Sequence, residues 1–221
     1  RTKGRRIMRR NVMSFACVGA VALSALAGTA SADVVVQLGM GWEAVLASNN
    51  VSLTVIPSDD GILHLSKEAT FRAIDPLTGQ PEPVIITFRQ VAPDNQTASQ
   101  IMIDDEMIMN LTGQHWSAYR QILSLSNNVS FDPSSTGMSV GPEFTTNSLV
   151  SGNRELVSSG GPGVANGAMW MPGAVGGMLI NVNLGGQDDP VIFVLKELPV
   201  PTPGAAALLG AGALALGRRR R

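Results

Sequence analysis

Thiols are all but missing from this chain of 221 residues, in which Cys17 is the single cysteine. One cysteine cannot close an intrachain disulfide or furnish a cysteine-based zinc site, and no thiol nucleophile exists downstream of it. Histidine is nearly as scarce: only His64 and His115 occur, and neither has a partner at triad-like spacing. Aromatic residues make up 5% of the chain, a sparse set that a core must share with any exposed ligand platform. Cations are missing from the middle. Of 16 Lys and Arg, six lie in residues 1–10 and four are Arg218, Arg219, Arg220 and Arg221. The other six (Lys67, Arg72, Arg89, Arg120, Arg154 and Lys196) face all 17 acids, giving residues 33–199 a net charge of −11. Such a surface repels phosphate backbones and excludes nucleic acid as a partner.

What is present divides the chain into residues 1–32, 33–199 and 200–221. The first segment has a basic stretch (Arg1 to Arg10), an apolar run of small residues (Val12 to Ala27) and the small–x–small tripeptide Ala30-Ser31-Ala32. That order predicts a secretory signal peptide, cut by signal peptidase after Ala32 to leave Asp33 first. Met8 begins a better-proportioned signal than residue 1 does. Arg9-Arg10 faintly echoes a twin-arginine signal, and the residues before Cys17 do not suit lipidation. Removal of Cys17 would leave a domain able to fold in any redox compartment.

The last segment opens with Val200-Pro201-Thr202-Pro203-Gly204. Thirteen residues of Ala, Leu and Gly follow, and the arginines end it. As a helix that run would extend about 20 Å, short of the roughly 30 Å of a bilayer core. It predicts a segment that pauses in the membrane, held by cytoplasmic arginines. The prolines predict an extended, accessible stretch ahead of it. Motif, apolar run and arginine cluster together resemble a PEP-CTERM protein-sorting signal. The resemblance implies processing by an exosortase-like enzyme near the Pro-x-Pro motif. It departs at Thr202, where the name-giving motif has Glu, and this bears on which sorting enzyme is cognate.

The middle segment reads as β-structure. Val34 to Leu38, Val51 to Ile56, Ile62 to Leu65, Val84 to Val91, Leu179 to Leu184 and Val191 to Lys196 are short and rich in β-branched residues. Turn residues punctuate them, as in Pro57-Ser58-Asp59-Asp60-Gly61 and Asp75-Pro76-Leu77-Thr78-Gly79. The pattern predicts an antiparallel, jelly-roll-like β-sandwich. Gly41 to Asn49 could form a helical turn. Gln114 to Leu125 fits neither period cleanly, with strand favoured. Gly137 to Gly177 reads as loops around one or two edge strands. Asn110-Leu111-Thr112-Gly113 followed by Trp116 and Tyr119, then Asp132-Pro133, is similar to a pattern in exported PEP-CTERM proteins. There an Asn-x-Thr-Gly turn leads into a strand anchored by its aromatics.

Chemistry is thinly written. Asp104-Asp105-Glu106 splits two apolar runs and predicts a hairpin turn or a solvated strand edge. Its clustered oxygens make it the weak candidate for a metal, Ca2+, in a chain otherwise expected to need no cofactor. Trp170, in a Gly-rich stretch, and His115, beside Trp116, are the candidates for ligand contact, with an aromatic plug the competing reading of Trp170. The Asn-x-Ser/Thr triplets at Asn50, Asn95, Asn110 and Asn128 read as chance. No pair of carboxylates stands out as catalytic. These features predict an exported protein of the bacterial envelope or extracellular matrix, structural or adhesive rather than enzymatic. The alternative is a secreted protein that binds, or acts on, polysaccharide.

Overall fold

The computed structural model describes residues 33–184 and 189–203. The expected cleavage residues Ala30 and Ala32, Gly204, the C-terminal apolar run and Arg218 to Arg221 lie outside them. Among the described residues no helix is long and apolar enough to cross a membrane.

Two β-sheets face each other across one hydrophobic core. The larger has seven strands, every neighbouring pair antiparallel. Its spatial order is β1 (Val34–Gly39), β2 (Trp42–Leu46), β5 (Val84–Gln90), β13 (Ile192–Pro201), β7 (Trp116–Ser124), β10 (Glu155–Val164) and β9 (Thr146–Val150). The smaller runs β3 (Val51–Ile56), β4 (Leu63–Phe71), β6 (Gln100–Asn110), β12 (Met178–Val182), β8 (Val129–Phe131). A two-residue strand, β11 (Met169–Trp170), joins β6 beside β12. The expectation of purely antiparallel pairing fails at one place, because β4 and β6 are parallel. Parallel neighbours need a crossover, and here β5 of the opposite sheet supplies it in place of a helix.

Alternation along each strand decides which residues enter the core. Leu63, Leu65, Ala69 and Phe71 of β4 are buried, as are Phe193 and Leu195 of β13 and Ile86 and Phe88 of β5. The expected helical turn after Gly41 is instead β2, which buries Trp42, Ala44 and Leu46. Of the four register shifts, or β-bulges, in the two sheets, two bear on the inward residues of β6 and β7. Between Leu65 and Ser66, the partner β6 steps from Ile103 to Asp105, leaving Asp104 extra. On β7, Val200 faces Ala118 and Pro201 faces Trp116, leaving Ser117 extra. An extra residue reverses the inward phase, so Ile103 and Glu106 both point inward, as do Trp116 and Tyr119.

The turn from β6 into β7 is held by Asn110, whose Nδ2 donates to the carbonyls of Gln114 (2.8 Å) and Val164 (3.0 Å). Its Oδ1 accepts from Thr112 N (3.1 Å) and Oγ1 (2.8 Å), and Gly113 takes φ 78°. Asp132 caps a short 3-10 turn through Ser134 N (2.9 Å). Gly163 of β10 lies so close to β7 that a Cβ would sit 2.0 Å from the Trp116 carbonyl oxygen, and its φ is 77°. Gly163→Ala is therefore expected to cost about 2 kcal/mol or more, read as a lower urea midpoint with unchanged slope.

Candidate functional site

The residues singled out for ligand contact do not converge. Trp170 is fully buried, its ring 4.8 Å from Phe144 and 5.1 Å from Tyr119, with Nε1 donating to Val140 O at 3.0 Å. It is the plug, and offers no exposed platform for a sugar. His115 is exposed but engaged: its Nδ1 lies 2.7 Å from Thr202 Oγ1, and its carbonyl accepts from Thr202 N at 2.8 Å. Asp104, Asp105 and Glu106 form neither a turn nor a shared cation site. They lie within one continuous strand, where the bulge sends them apart. Asp104 Oδ2 meets His64 Nδ1 at 2.5 Å, Asp105 faces solvent, and Glu106 enters the core.

His64 is flanked on its other nitrogen by Asp60 Oδ2 at 2.9 Å. Burial works against its charge, but Asp104 and Asp60 outweigh it and raise the imidazole above its ordinary value. Asp60 is held down to about 2 by the backbone N–H of Ile62, then by His64 and Ser58.

The sorting-signal residues begin inside the sheet. β13 does not stop at Pro199: Val200 pairs with Ala118, Pro201 with Trp116, and the Thr202 contacts to His115 continue the register. The stretch is extended, as expected, but it is fastened to β7 through Thr202. Thr202 and Pro203 are exposed. Asp33, the expected first mature residue, is exposed and immediately precedes β1.

The most unusual chemistry lies between the sheets. Lys67 of β4, Glu106 of β6 and Glu197 of β13 are fully buried, and Gln121 of β7 is 1% exposed. Each occupies an inward position of its strand that an apolar residue would ordinarily fill. Lys67 Nζ contacts Glu197 Oε1 and lies 3.3 Å from Glu106 Oε2. Gln121 Nε2 donates to Glu106 Oε1 (3.1 Å) and Oε2 (3.3 Å) and to Glu197 Oε1 (3.3 Å). Beside them, Tyr119 Oη and Glu197 Oε2 make no hydrogen bond of good geometry among the described residues, although the Tyr119 hydroxyl lies close enough to interact with Glu197. Burial pushes the Glu106 carboxyl up to about 7; the Lys67 charge opposes this and the Glu197 charge adds to it. Burial opposes the Lys67 ammonium, but Glu106 and then Glu197 more than offset it and keep its pKa above the ordinary lysine value. Tyr119 is raised well above the usual phenol, by burial and then by Glu197 and Glu106, so its hydroxyl stays protonated.

Glu106 binds its proton more tightly folded than unfolded. Its contribution to stability is thus complete below the ordinary carboxylate pKa and is lost as pH rises towards about 7, a change of about 3 kcal/mol. His64 acts in the same sense at higher pH, its contribution being lost as pH climbs through its raised folded value. Urea midpoints are expected to fall from about pH 5 to about pH 9, and Glu106→Gln to flatten the lower part of that slope.

At the surface, a groove of about 490 Å³ opens beside β8 and β12, lined by Gln100, Asn127, Asn128, Asn181, Asn183 and Arg154 among others. The Arg154 guanidinium donates to Asn127 Oδ1 (2.5 Å) and to the carbonyls of Ser126 (2.5 Å) and Leu123 (3.3 Å). Amides that both donate and accept suit hydroxyl-rich ligands. Among the described residues that line the groove there is no carboxylate. No protein-family model matches the chain, and neither the curated proteins nor the solved structures yield a match.

Proposed function

We propose that the chain is an exported bacterial protein of the cell surface or extracellular matrix. Its jelly-roll-like sandwich would serve a structural or adhesive role, delivered by a signal peptide and processed by an exosortase-like enzyme. The observation that best supports this reading is the continuity of β13 with Val200, Pro201, Thr202 and Pro203. A domain whose last strand runs straight into its attachment segment, with no linker between, transmits load to its anchor. Such coupling suits a structural part better than a freely diffusing catalyst. The buried carboxylates argue the same way, since a diffusing substrate has no route to fully buried groups.

The test is intact mass of the protein recovered from its native envelope and medium. Loss of residues 1–32 together with the tail beyond Pro201-Thr202-Pro203 is the expected result. A mass retaining Arg218 to Arg221 removes the sorting reading.

The amide-lined groove favours a second reading, in which the mature domain binds extracellular polysaccharide. Asn128→Ala with Asn183→Ala is then expected to weaken retention on matrix glycan about tenfold, as the loss of two hydrogen bonds would. Equal retention by both proteins, measured by affinity electrophoresis, sets that reading aside.

A further inference from the structure

We propose that Lys67 and Glu197 become joined by an intramolecular amide bond, formed by the folded domain itself and tying β4 of one sheet to β13 of the other. The proposal stands on the buried cluster and is independent of the export reading. Two ions taken out of water each cost several kcal/mol, and their mutual attraction repays this only where every remaining lone pair is satisfied. Here, among the described residues, Glu197 Oε2 makes no hydrogen bond of good geometry, and the Tyr119 hydroxyl beside Glu197 is the donor left to answer it. Condensation removes both charges and one carboxylate oxygen at once.

The reacting atoms are already together. Lys67 Nζ touches a Glu197 carboxylate oxygen inside a core that fixes both strands. Well-oriented groups can react as though at up to about 10⁵–10⁸ M, which lowers the barrier to an amide that free amines and acids in water form only slowly. In the step, the Nζ lone pair attacks Glu197 Cδ, the Nζ–Cδ bond forms and one Cδ–O bond breaks. Of the three ammonium protons, one stays on the amide nitrogen and two leave with the departing oxygen as water. No oxidant, reductant or co-substrate is needed.

The neighbours supply what that step requires. Glu106, 3.3 Å from Nζ, can take the ammonium proton, against the raised lysine pKa that the same carboxylates impose, and pass it to the leaving oxygen, ending with the protons it began with. Its carboxyl titrates near neutrality, where it can do both. Gln121 Nε2 bonds both carboxylates and fixes their orientation. The Tyr119 hydroxyl, held protonated and interacting with Glu197, is the donor available to the oxyanion that develops there. Exclusion of water then protects the product from hydrolysis. Glu106 and Gln121 are the competing acyl donors nearby: use of Glu106 would also release water but join a different peptide, and use of Gln121 would release ammonia.

The experiment is high-resolution mass of the full folded chain, followed by denaturing digestion and peptide mapping. The expected result is a chain lighter by one water than its sequence, with a branched peptide joining the segments that carry Lys67 and Glu197. Glu197→Gln is expected to lose ammonia and keep the branch, and Lys67→Arg to show its full mass. Glu106→Gln is expected to stay unlinked while retaining the β-sheet circular dichroism of the parent. A folded parent chain at full mass, with Lys67 and Glu197 in separate linear peptides, overturns the proposal. A branch from Lys67 to Glu106, with the same loss of water, or from Lys67 to Gln121, marked by loss of ammonia in the parent, overturns the assignment to Glu197. Because the parent alone decides between these outcomes, a variant that fails to fold does not obscure the result.

Discussion

Relative to the fold in which Lys67 and Glu197 are still separate ions, Lys67→Met is expected to destabilise the domain by about 3–5 kcal/mol at neutral pH, the cost of leaving buried charge without its partner. Where the amide has formed, loss of the cross-link adds to this. Methionine fills a similar volume, so packing changes little and the loss is electrostatic. Two carboxylates, Glu106 and Glu197, would then face each other in the core with only Gln121 donating to both. Glu106, already raised by burial, would lose the opposing Lys67 charge and bind its proton more tightly still in the folded state. The variant is therefore expected to approach the parent below the ordinary carboxylate pKa and to lose stability steadily as pH rises. Urea unfolding at about pH 4 and about pH 8 checks this, and equal losses at both values would show that the charge is not the cause. Adding Glu106→Leu and Glu197→Leu to Lys67→Met is expected to restore most of the stability, because an apolar cluster carries no desolvation cost.

Trp170→Ala is expected to cost about 3–5 kcal/mol, the range for removing a large aromatic from a well-packed core. The indole is wedged between Tyr119 and Phe144, both edge-on, and its N–H satisfies the Val140 carbonyl. Truncation leaves a cavity and an unpaired carbonyl together. The two-residue strand β11 that carries Trp170 offers little backbone to resist collapse, so part of the loss should come from local opening. Differential scanning calorimetry measures the whole effect, and hydrogen exchange at Ile108 and Met109, which pair with β11, locates it. An unchanged midpoint would mean that the ring is not the plug its contacts describe.

The β-branched runs of Val51 to Ile56, Val84 to Val91 and Val191 to Lys196 were readable as strands because alternation and composition agree there. Legibility fails at the bulges. An extra residue at Ser117 explains why Trp116 to Leu125 follows neither period, and another at Asp104 makes three acids inside a strand read as a turn. In β10, Gly160, Gly161 and Gly163 disguise a strand of ten residues as a loop. The buried cluster was hidden by a rule that is usually sound, that Lys and Glu face water. The signal existed: Lys67 is in phase with Leu63, Leu65, Ala69 and Phe71, and Glu197 with Phe193 and Leu195. That these two positions meet depends on which strands face each other, and no local pattern carries that. The contact of His115 with Thr202 was hidden for the same reason, across 87 positions of sequence.

β13 is the fourth of seven strands in the larger sheet, yet it is the last made. A chain emerging N-terminus first must therefore wait. Until residue 201 is free, that sheet exists only as two three-stranded pieces, β1-β2-β5 and β7-β10-β9, with no backbone hydrogen bond between them. Through that interval β5 and β7 present open edges, and Lys67 has Glu106 but not Glu197 to answer its charge. The strand that closes the gap also settles the buried cation. Completion of the domain is thereby tied to arrival of the segment that leads into the tail, so the sheet is held open until Pro201 has appeared.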